Sequence, residues 1–364
     1  MSPFLYQPIF LAITGIASYA TVLLYLSSPD YRFQERKGQI WLPLIMSVVF
    51  VFWLGSRPVS GAAFGDTVNY AFVYMMKSES IDFTMNINNE GMWSLLMNSC
   101  RSLGLSVHGF FIVVEAGYIL SALWAVKRFV PNNPMLGMIF VWTSLMFFSF
   151  GTNGLRNGLA CHIMLLAMSF FFDDKYVIGG LLCILAFGFH RSLMLPIAAM
   201  LVGRFVVKDF RYAVVFWFCS IALSLVAGNS MTNFFISLGF DDRMSTYITT
   251  EYDGLFSNTG FRWDFLIYSV FPMLMGWYVC VTKRIRDDWF RTLCVTYCLC
   301  NAFWVIVIRA AFSNRFAYLS WFMYPIIIVY PLVNLPVWED QDRKTAIILA
   351  LYCSFSLFMQ FVVW

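Results

Sequence analysis

The sequence predicts an all-α membrane protein with about twelve transmembrane helices. Hydrophobic residues make up 60% of the 364 residues and charged residues only 12%, whereas soluble domains average about 25% charged residues. The mean hydropathy is +0.71, and apolar runs of about 17–25 residues, long enough to cross a bilayer, recur along the chain. The net charge of +4 is modest and gives no reason to expect a nucleic-acid partner.

Each predicted span is an apolar window that ends at charged residues or at Pro and Gly. The first basic residue in the chain is Arg32, so we expect the first window to be a retained helix and not a cleaved signal peptide. All windows belong to one integral membrane domain, 1–364, with extracytoplasmic loops at about 55–106 and 229–262. The windows lie near 6–26, 40–54, 107–126, 134–151, 157–172, 176–189, 193–206, 212–228, 263–282, 292–310, 316–333 and 345–363.

The distribution of basic residues predicts the orientation of these spans. Short connections on one side carry 15 of the 24 Lys and Arg residues, which identifies that side as cytoplasmic and places both termini outside. These connections are RFQERK (32–37), VKR (126–128), DDK (173–175), RFVVKDFR (204–211), KRIRDDWFR (283–291) and EDQDRK (339–344).

The opposite side is rich in arginine and carries a single lysine, Lys77. Arginine presents a planar, permanently charged fork that binds phosphate or carboxylate in a bidentate manner, so an outer cavity for an anion is one interpretation. The other is salt bridging to acidic residues of the same side, namely Asp66, Glu90, Glu251 and Asp253. The outer arginines are Arg57, Arg101, Arg156, Arg191, Arg243, Arg262, Arg309 and Arg315.

Arg156 is the most unusual of these arginines, because it lies in GLRNG (154–158) between two long apolar runs. A charged side chain at membrane depth is costly and is therefore a functional candidate. We expect Gly154 and Gly158 to free Arg156 from regular helix and to let the backbone approach a ligand. The start of the following span would add a helix dipole that favours an anion.

Two other titratable side chains have open interpretations. His190 lies beside Arg191 on the outer side and is a candidate base, although a single histidine is more often structural. Glu115, in FFIVVEAGYIL, is either a functional intramembrane carboxylate or the partner of a basic neighbour. We interpret His108 and His162 as structural.

The sequence predicts neither a metal site nor a cofactor. It contains no HExxH, P-loop or GxSxG motif and no dense His/Cys/Asp cluster. Cys294, Cys298 and Cys300 are close in sequence, but their spacing matches no zinc pattern, and cysteine in an apolar helix packs as a small hydrophobic residue.

Four motifs follow one another in a distinctive order: SRPVSGAAFGDTVNY, NEGMWSLLMNSCRSLGLS, GLRNGLACHIMLLAMSFFFDDKYVIGG and AFGFHRSLML. The order and spacing resemble the EpsG family of Wzy-like polysaccharide polymerases. The sequence departs from the family pattern in a longer Arg-to-Asp interval, in Asn157 for the common Gln, and in the lack of a proline between Glu90 and Gly91. The matching positions are Arg57, Asp66, Tyr70, Glu90, Arg156 and His190, with a looser match at Arg315.

This resemblance implies a glycosyltransferase of the bacterial cytoplasmic membrane. Such enzymes transfer a growing glycan from undecaprenyl diphosphate onto the non-reducing end of the next lipid-linked repeat unit, on the outer face of the membrane. The product is O-antigen, capsule or exopolysaccharide, and the implied fold is similar to type C glycosyltransferases with short interfacial helices outside. Besides the lipid-linked repeat units and membrane lipid, the candidate partners are a chain-length regulator and a flippase.

The resemblance and the residue chemistry together suggest roles for individual side chains. The candidate catalytic groups are His190 as the preferred base, with Asp66 and Glu90. The candidate diphosphate-binding residues are Arg156 and Arg315, supported by Arg57, Arg262 and Arg309. The candidate sugar-binding residues are Tyr70, Tyr252 and Trp263. The alternatives are an O-antigen ligase, a flippase or transporter of lipid-linked oligosaccharide, and a membrane acyltransferase.

Overall fold

The computed structural model describes residues 1–27, 39–76, 91–237, 260–309 and 314–363. Regular structure within these ranges is entirely helical, as the composition predicts. By internal contacts the chain divides into two compact units, the first formed by Met1–Arg191 with Val329–Trp364 and the second by Ser192–Ile328. The assignment of 1–364 to one membrane domain stays a prediction.

The first unit contains eleven α-helices within the described residues, and it also holds the second half of a twelfth α-helix that begins in the second unit. In chain order they are α1 (Tyr6–Ser27), α2 (Trp41–Gly55), α3 (Gly61–Phe64), α4 (Thr67–Met76), α5 (Gly91–Ser102), α6 (Val107–Phe129), α7 (Pro134–Trp142), α8 (Phe147–Thr152), α9 (Leu155–Phe172), α10 (Tyr176–Phe189) and, after the second unit, α17 (Gln341–Phe358).

The helices of the second unit within the described residues are α11 (Met194–Phe205), α12 (Phe210–Ser237), α13 (Trp263–Trp277), α14 (Asp288–Ile306) and α15 (Asn314–Trp321), and α16 (Tyr324–Asn334) crosses the boundary between the units. Two of these helices depart from straight geometry. Helix α12 has non-helical backbone angles at Ala227, and α13 contains Pro272 and continues into a π-helical turn over Tyr278–Thr282.

Eight helical stretches in the described part of the chain are long and apolar enough to cross a membrane, and each coincides with a predicted span. One of these stretches, Arg315–Asn334, consists of α15 followed by α16. The structure therefore does not reproduce the predicted number of twelve membrane spans. Three of the remaining windows form helices of only 15, 14 and 12 residues, or about 18–22 Å at 1.5 Å per residue, which is less than the bilayer core. They are α2, α10 and α11.

The predicted span 134–151 is wrong in a different way, because it consists of two short helices, α7 and α8. Helix α7 ends where the hydroxyl of Thr143 donates to the carbonyl of Ile139 at 2.6 Å and that of Ser144 to the carbonyl of Val141 at 2.8 Å. Bonds of the same kind occur within the unbroken helix α1, from Thr14 to the carbonyl of Phe10 and from Ser18 to that of Thr14, so they accompany the break and do not explain it. No charged or Pro residue lies between α7 and α8.

Helices α6, α9 and α10 form the core of the first unit. Helix α9 runs parallel to α6, since Tyr118 stacks on His162 at 4.0 Å near the middle of the two helices and Phe129 meets Phe172 at 4.8 Å at their ends. Buried His162 also bonds the carbonyl of Tyr118 at 2.8 Å, consistent with the structural role expected for it. Helix α10 returns antiparallel to α9 after the short turn at 173–175.

Charged residues gather at the end of the first unit where α6 and α9 finish. Arg128 forms an ion pair with Asp173, and the side chain of Asn334 donates to the carbonyl of Phe129 at 2.8 Å. The basic segments VKR and DDK therefore lie together, as the orientation argument requires of two loops on one membrane side. Their assignment to the cytoplasm stays a prediction.

A buried polar network holds the second unit together. Asn301 of α14 accepts from the indole of Trp217 at 2.7 Å and donates to the hydroxyls of Ser269 and Ser320 at 3.1 and 3.0 Å. Trp321 donates to the same Ser269 hydroxyl at 2.8 Å. In an apolar surrounding, buried polar groups satisfied in this way fix the relative positions of the helices that carry them.

Gly158 permits the closest backbone approach in the first unit, and its replacement by alanine is expected to destabilise the protein. An added Cβ would lie 2.6 Å from the carbonyl oxygen of Phe150, a backbone atom that cannot rotate away. We expect a loss of about 1–3 kcal/mol from overpacking, despite the better helix propensity of alanine. Thermal unfolding in detergent measures the change.

Gly180→Ala on α10 is the matched control, because an added Cβ there meets no atom within 4 Å. This variant is expected to be neutral or more stable by about 1 kcal/mol, the propensity difference between the two residues. Equal unfolding temperatures for Gly158→Ala and Gly180→Ala would contradict the close packing of α8 on α9.

Candidate functional site

Arg156 lies in the first turn of α9, which begins at Leu155 after Gly154 as the N-cap residue. The glycines of GLRNG do not have the predicted role of releasing Arg156 from regular helix. They let α8 approach α9, because a Cβ on Gly154 would lie 2.8 Å from the ring of Phe150 and one on Gly158 would meet the carbonyl of the same residue. The result is a half-buried arginine held at the positive end of a helix dipole.

The turn at Gly65 and Asp66 is attached directly to the segment before α9. The backbone N–H of Asp66 donates to the side-chain oxygen of Asn153 at 2.8 Å. Gly65 has φ of +50°, and a Cβ at this position would lie 2.5 Å from the same Asn153 oxygen. Only glycine fits both the backbone angle and the close approach. Two motifs far apart in sequence therefore form one local structure.

A buried ion pair lies beneath this local structure. Arg57 and Glu115 are 2.9 Å apart, and neither side chain has exposed surface. Arg57 also donates to the carbonyl of Leu54 at 2.7 Å, to the carbonyl of Thr152 at 3.2 Å and to the hydroxyl of Thr67 at 3.4 Å. The hydroxyl of Thr67 in turn donates to the carbonyl of Thr152.

Tyr70 connects Arg156 with helix α5. The guanidinium carbon of Arg156 lies 6.0 Å from the centre of the Tyr70 ring, a distance at which a cation and an aromatic face attract each other. The other neighbour of Tyr70 is Trp93 of α5, at 5.3 Å in an edge-on arrangement. Tyr70 is half-buried and Trp93 is 6% exposed, so Tyr70 offers the larger accessible surface.

His190 lies at the same end of the helical pair α9–α10 as Arg156. It is the C-cap residue of α10, half-buried, and its N–H donates to the carbonyl of Ala186 at 3.1 Å. The sulfur atoms of Cys183 on α10 and Met164 on α9 are 3.7 Å apart. Because the two helices are antiparallel, His190, seven residues after Cys183, lies level with the first turn of α9. His190 and Arg156 are therefore at the same depth on neighbouring helices.

Helix α5 is fixed at both ends. At its start Met92 packs on α10, since a Cβ on Gly188 would lie 2.5 Å from the Met92 side chain. In its last turn Arg101 donates to the carbonyls of Tyr74 and Val73 at 2.8 and 2.7 Å, so this outer arginine completes the end of α4. Burial raises the pKa of the neighbouring Cys100 thiol, which disfavours a thiolate there.

The remaining candidates in the described part of the chain belong to the second unit. Arg262 binds Asp264 through two nitrogens, the shorter contacts being 2.5 and 2.9 Å. Its neighbour Trp263 is 55% exposed. Arg309 lies 5.9 Å from the ring of Phe261, and half-exposed Arg315 lies in the first turn of α15. Glu90 and Tyr252 lie outside the described residues.

The structure thus brings Asp66, Tyr70, Arg156 and His190, all candidates from the sequence, to one end of the first unit. The expected pairing of Glu115 with a basic neighbour is found, and that neighbour is Arg57. The support of Asp66 by Asn153 is not predicted by the sequence. Glu115 is recognisable from the sequence as a carboxylate within an apolar span. Asn153, Thr67 and Thr152 are common polar residues, and nothing in the sequence distinguishes them from residues of an ordinary loop.

Membrane-length apolar helices, with cationic and polar side chains gathered at one end of the first unit, define a multi-pass membrane protein with a candidate anion site. The sequence model of the EpsG family matches residues 40–364, and the chain therefore belongs to this family. Its members are glycosyltransferase-like membrane proteins related to polysaccharide polymerases. Neither the curated proteins nor the solved structures include a significant match to the chain.

Proposed function

We propose that the chain is a Wzy-type polysaccharide polymerase of the bacterial cytoplasmic membrane. A hydroxyl at the non-reducing end of the acceptor repeat unit attacks the anomeric carbon of the donor glycan. The bond from that carbon to the diphosphate breaks, undecaprenyl diphosphate leaves with the bonding electrons, and a base takes the hydroxyl proton. Family membership supports the reaction class, and the position of Arg156 is the observation that carries the assignment of the site.

Arg156 is suited to stabilise the leaving diphosphate. Its guanidinium adds a full positive charge to the positive end of α9, and both attract phosphate oxygens. The side chain is half-buried, so its charge is less screened than at an open surface. Fixed positive groups of this kind stabilise charge that develops in the transition state without a metal ion.

His190 is the proposed base for the acceptor hydroxyl. It lies level with the first turn of α9, where a hydroxyl would approach the anomeric carbon next to the diphosphate. Asp66, at the turn held by Asn153, and Tyr70 are proposed to orient the sugars, Asp66 by hydrogen bonds and Tyr70 through its accessible ring. Glu90 and Tyr252 keep the catalytic and sugar-binding roles predicted from sequence.

The roles of the other arginines differ from one another in this proposal. Arg57 has no exposed surface and contacts Glu115, so we change its predicted diphosphate contact to a supporting role. Arg262 forms an ion pair with Asp264, so we propose a supporting role for it, whereas Arg315 and Arg309 keep the diphosphate-binding roles predicted from the sequence. Trp263 stays a candidate for sugar stacking.

The proposal is tested with purified protein in liposomes that contain the lipid-linked repeat unit of the source bacterium. We expect a ladder of polymers, and we expect it to persist in EDTA because the proposed mechanism uses no metal ion. Transfer only to a lipid A-core acceptor would identify a ligase. Movement of repeat units across the bilayer without bond formation would identify a flippase, and acyl transfer would identify an acyltransferase.

A further inference from the structure

Glu115 joins three segments of the first unit that are distant in sequence. It lies on α6, 58 residues after Arg57, to which it is bonded. Arg57 follows α2 and reaches both Thr67, the first residue of α4, and the carbonyl of Thr152, the last residue of α8. The pair therefore lies where the segments carrying Asp66 and Arg156 converge.

Gly151 packs beside the carboxylate and the ring of Tyr118. A Cβ on Gly151 of α8 would lie 3.4 Å from Glu115 Oε2 and 3.1 Å from the ring of Tyr118. The guanidinium of Arg57 is enclosed by aromatic rings, with Phe111 at 4.8 Å and Phe64 at 5.9 Å. These contacts hold both charged groups in one arrangement.

Stability alone is a poor explanation for this arrangement. Taking two charges out of water costs free energy that their attraction repays only when the geometry is good and the remaining polar atoms are bonded. Glu115 Oε2 and Arg57 Nε have no hydrogen-bond partner among the described protein atoms. An apolar pair of similar volume would avoid this cost, so the ion pair has some other consequence for the fold.

We propose that Glu115 is a positioning residue of the site. By fixing Arg57 it fixes Thr67 and the carbonyl of Thr152, and so holds the segment 64–70 against the start of α9. Only the expected effect of Glu115 on catalysis rests on the proposed function. The attachment of the segment is a property of the structure and is measured separately.

The test is the double variant Arg57→Met/Glu115→Leu, which removes both charges and keeps similar volumes. We expect it to fold with an unfolding temperature equal to or above that of the unaltered protein. Hydrogen exchange in the segment 64–70, which includes the Asp66 amide, is expected to rise by about tenfold or more because that segment opens locally. Polymer formation is expected to fall by about 10²-fold, as for a misplacement of about 1 Å.

Tyr25→Phe is the matched control. It removes a buried hydrogen bond to Asn133, 2.7 Å long, at the far end of α1, and is expected to leave exchange in 64–70 unchanged. Thr67→Val removes the hydroxyl that accepts from Arg57 and donates to the carbonyl of Thr152, and it is expected to raise exchange in 64–70 in a folded protein. If the double variant does not fold, exchange in Thr67→Val decides whether these contacts hold the segment 64–70.

Unchanged exchange in segment 64–70 in a folded double variant, or in Thr67→Val if the double variant is unfolded, would overturn the inference. Raised exchange with unchanged polymer formation would overturn the positioning role. If no form of the protein makes polymer, the proposed function fails, and the exchange measurement still decides whether Glu115 holds the segment.

Discussion

The Arg156→Ala variant is expected to form polymer about 10²–10³-fold more slowly than the unaltered protein, the usual cost of removing one fixed group that stabilises developing negative charge. The arginine lies in the first turn of α9, near the ring of Tyr70. Initial rates with lipid-linked repeat units measure the effect, and thermal unfolding verifies that the variant is folded.

Two further variants define the origin of that loss. Arg156→Lys keeps the charge without the planar fork and is expected to recover only part of the rate. Arg343→Ala removes an exposed arginine in the first turn of α17 and is expected to keep the full rate. If Arg156→Ala polymerised as fast as Arg343→Ala, the diphosphate could not be bound where we place it.

His190→Ala is expected to lower kcat by about 10²–10⁴-fold, the usual contribution of a positioned base. KM is expected to change little, because the base acts on the proton as the bond forms and contributes little to substrate binding. The measurement is a steady-state rate curve at several acceptor concentrations.

The matched control for this prediction is His108→Ala, which alters an exposed histidine near the start of α6. We expect it to keep both kinetic constants. A His190→Ala variant with unchanged kcat would remove His190 from the mechanism and leave Asp66 or Glu90 as the base.

The long spans were predictable because an apolar run of membrane length has one stable solution, a helix that satisfies its own backbone. The failure at 134–151 has an equally physical cause. Almost every residue of α7 and α8 is buried, so no hydrophobic periodicity marks the break, and no charged or Pro residue lies between the two helices. Composition identifies apolar segments, but it does not show where a helix inside one ends.

The candidate site was predictable in its residues and not in its connections. Motif order identified Asp66, Arg156 and His190, which the structure places at one end of the first unit. The bond from Asp66 to Asn153 crosses 87 residues, and such pairings depend on how helices pack. The glycines of GLRNG show the same limit, because their sequence indicated conformational freedom whereas the structure uses them for close packing on Phe150.

The most direct test of this account counts products per bond formed. Purified protein in liposomes receives lipid-linked repeat units, and both the new glycosidic bonds and the released undecaprenyl diphosphate are quantified, with Arg156→Ala in parallel. We expect the unaltered protein to release one undecaprenyl diphosphate for each glycosidic bond that it forms. In Arg156→Ala we expect bond formation and carrier release to fall together. Bond formation without carrier release, or transport of repeat units without bonds, would contradict this account.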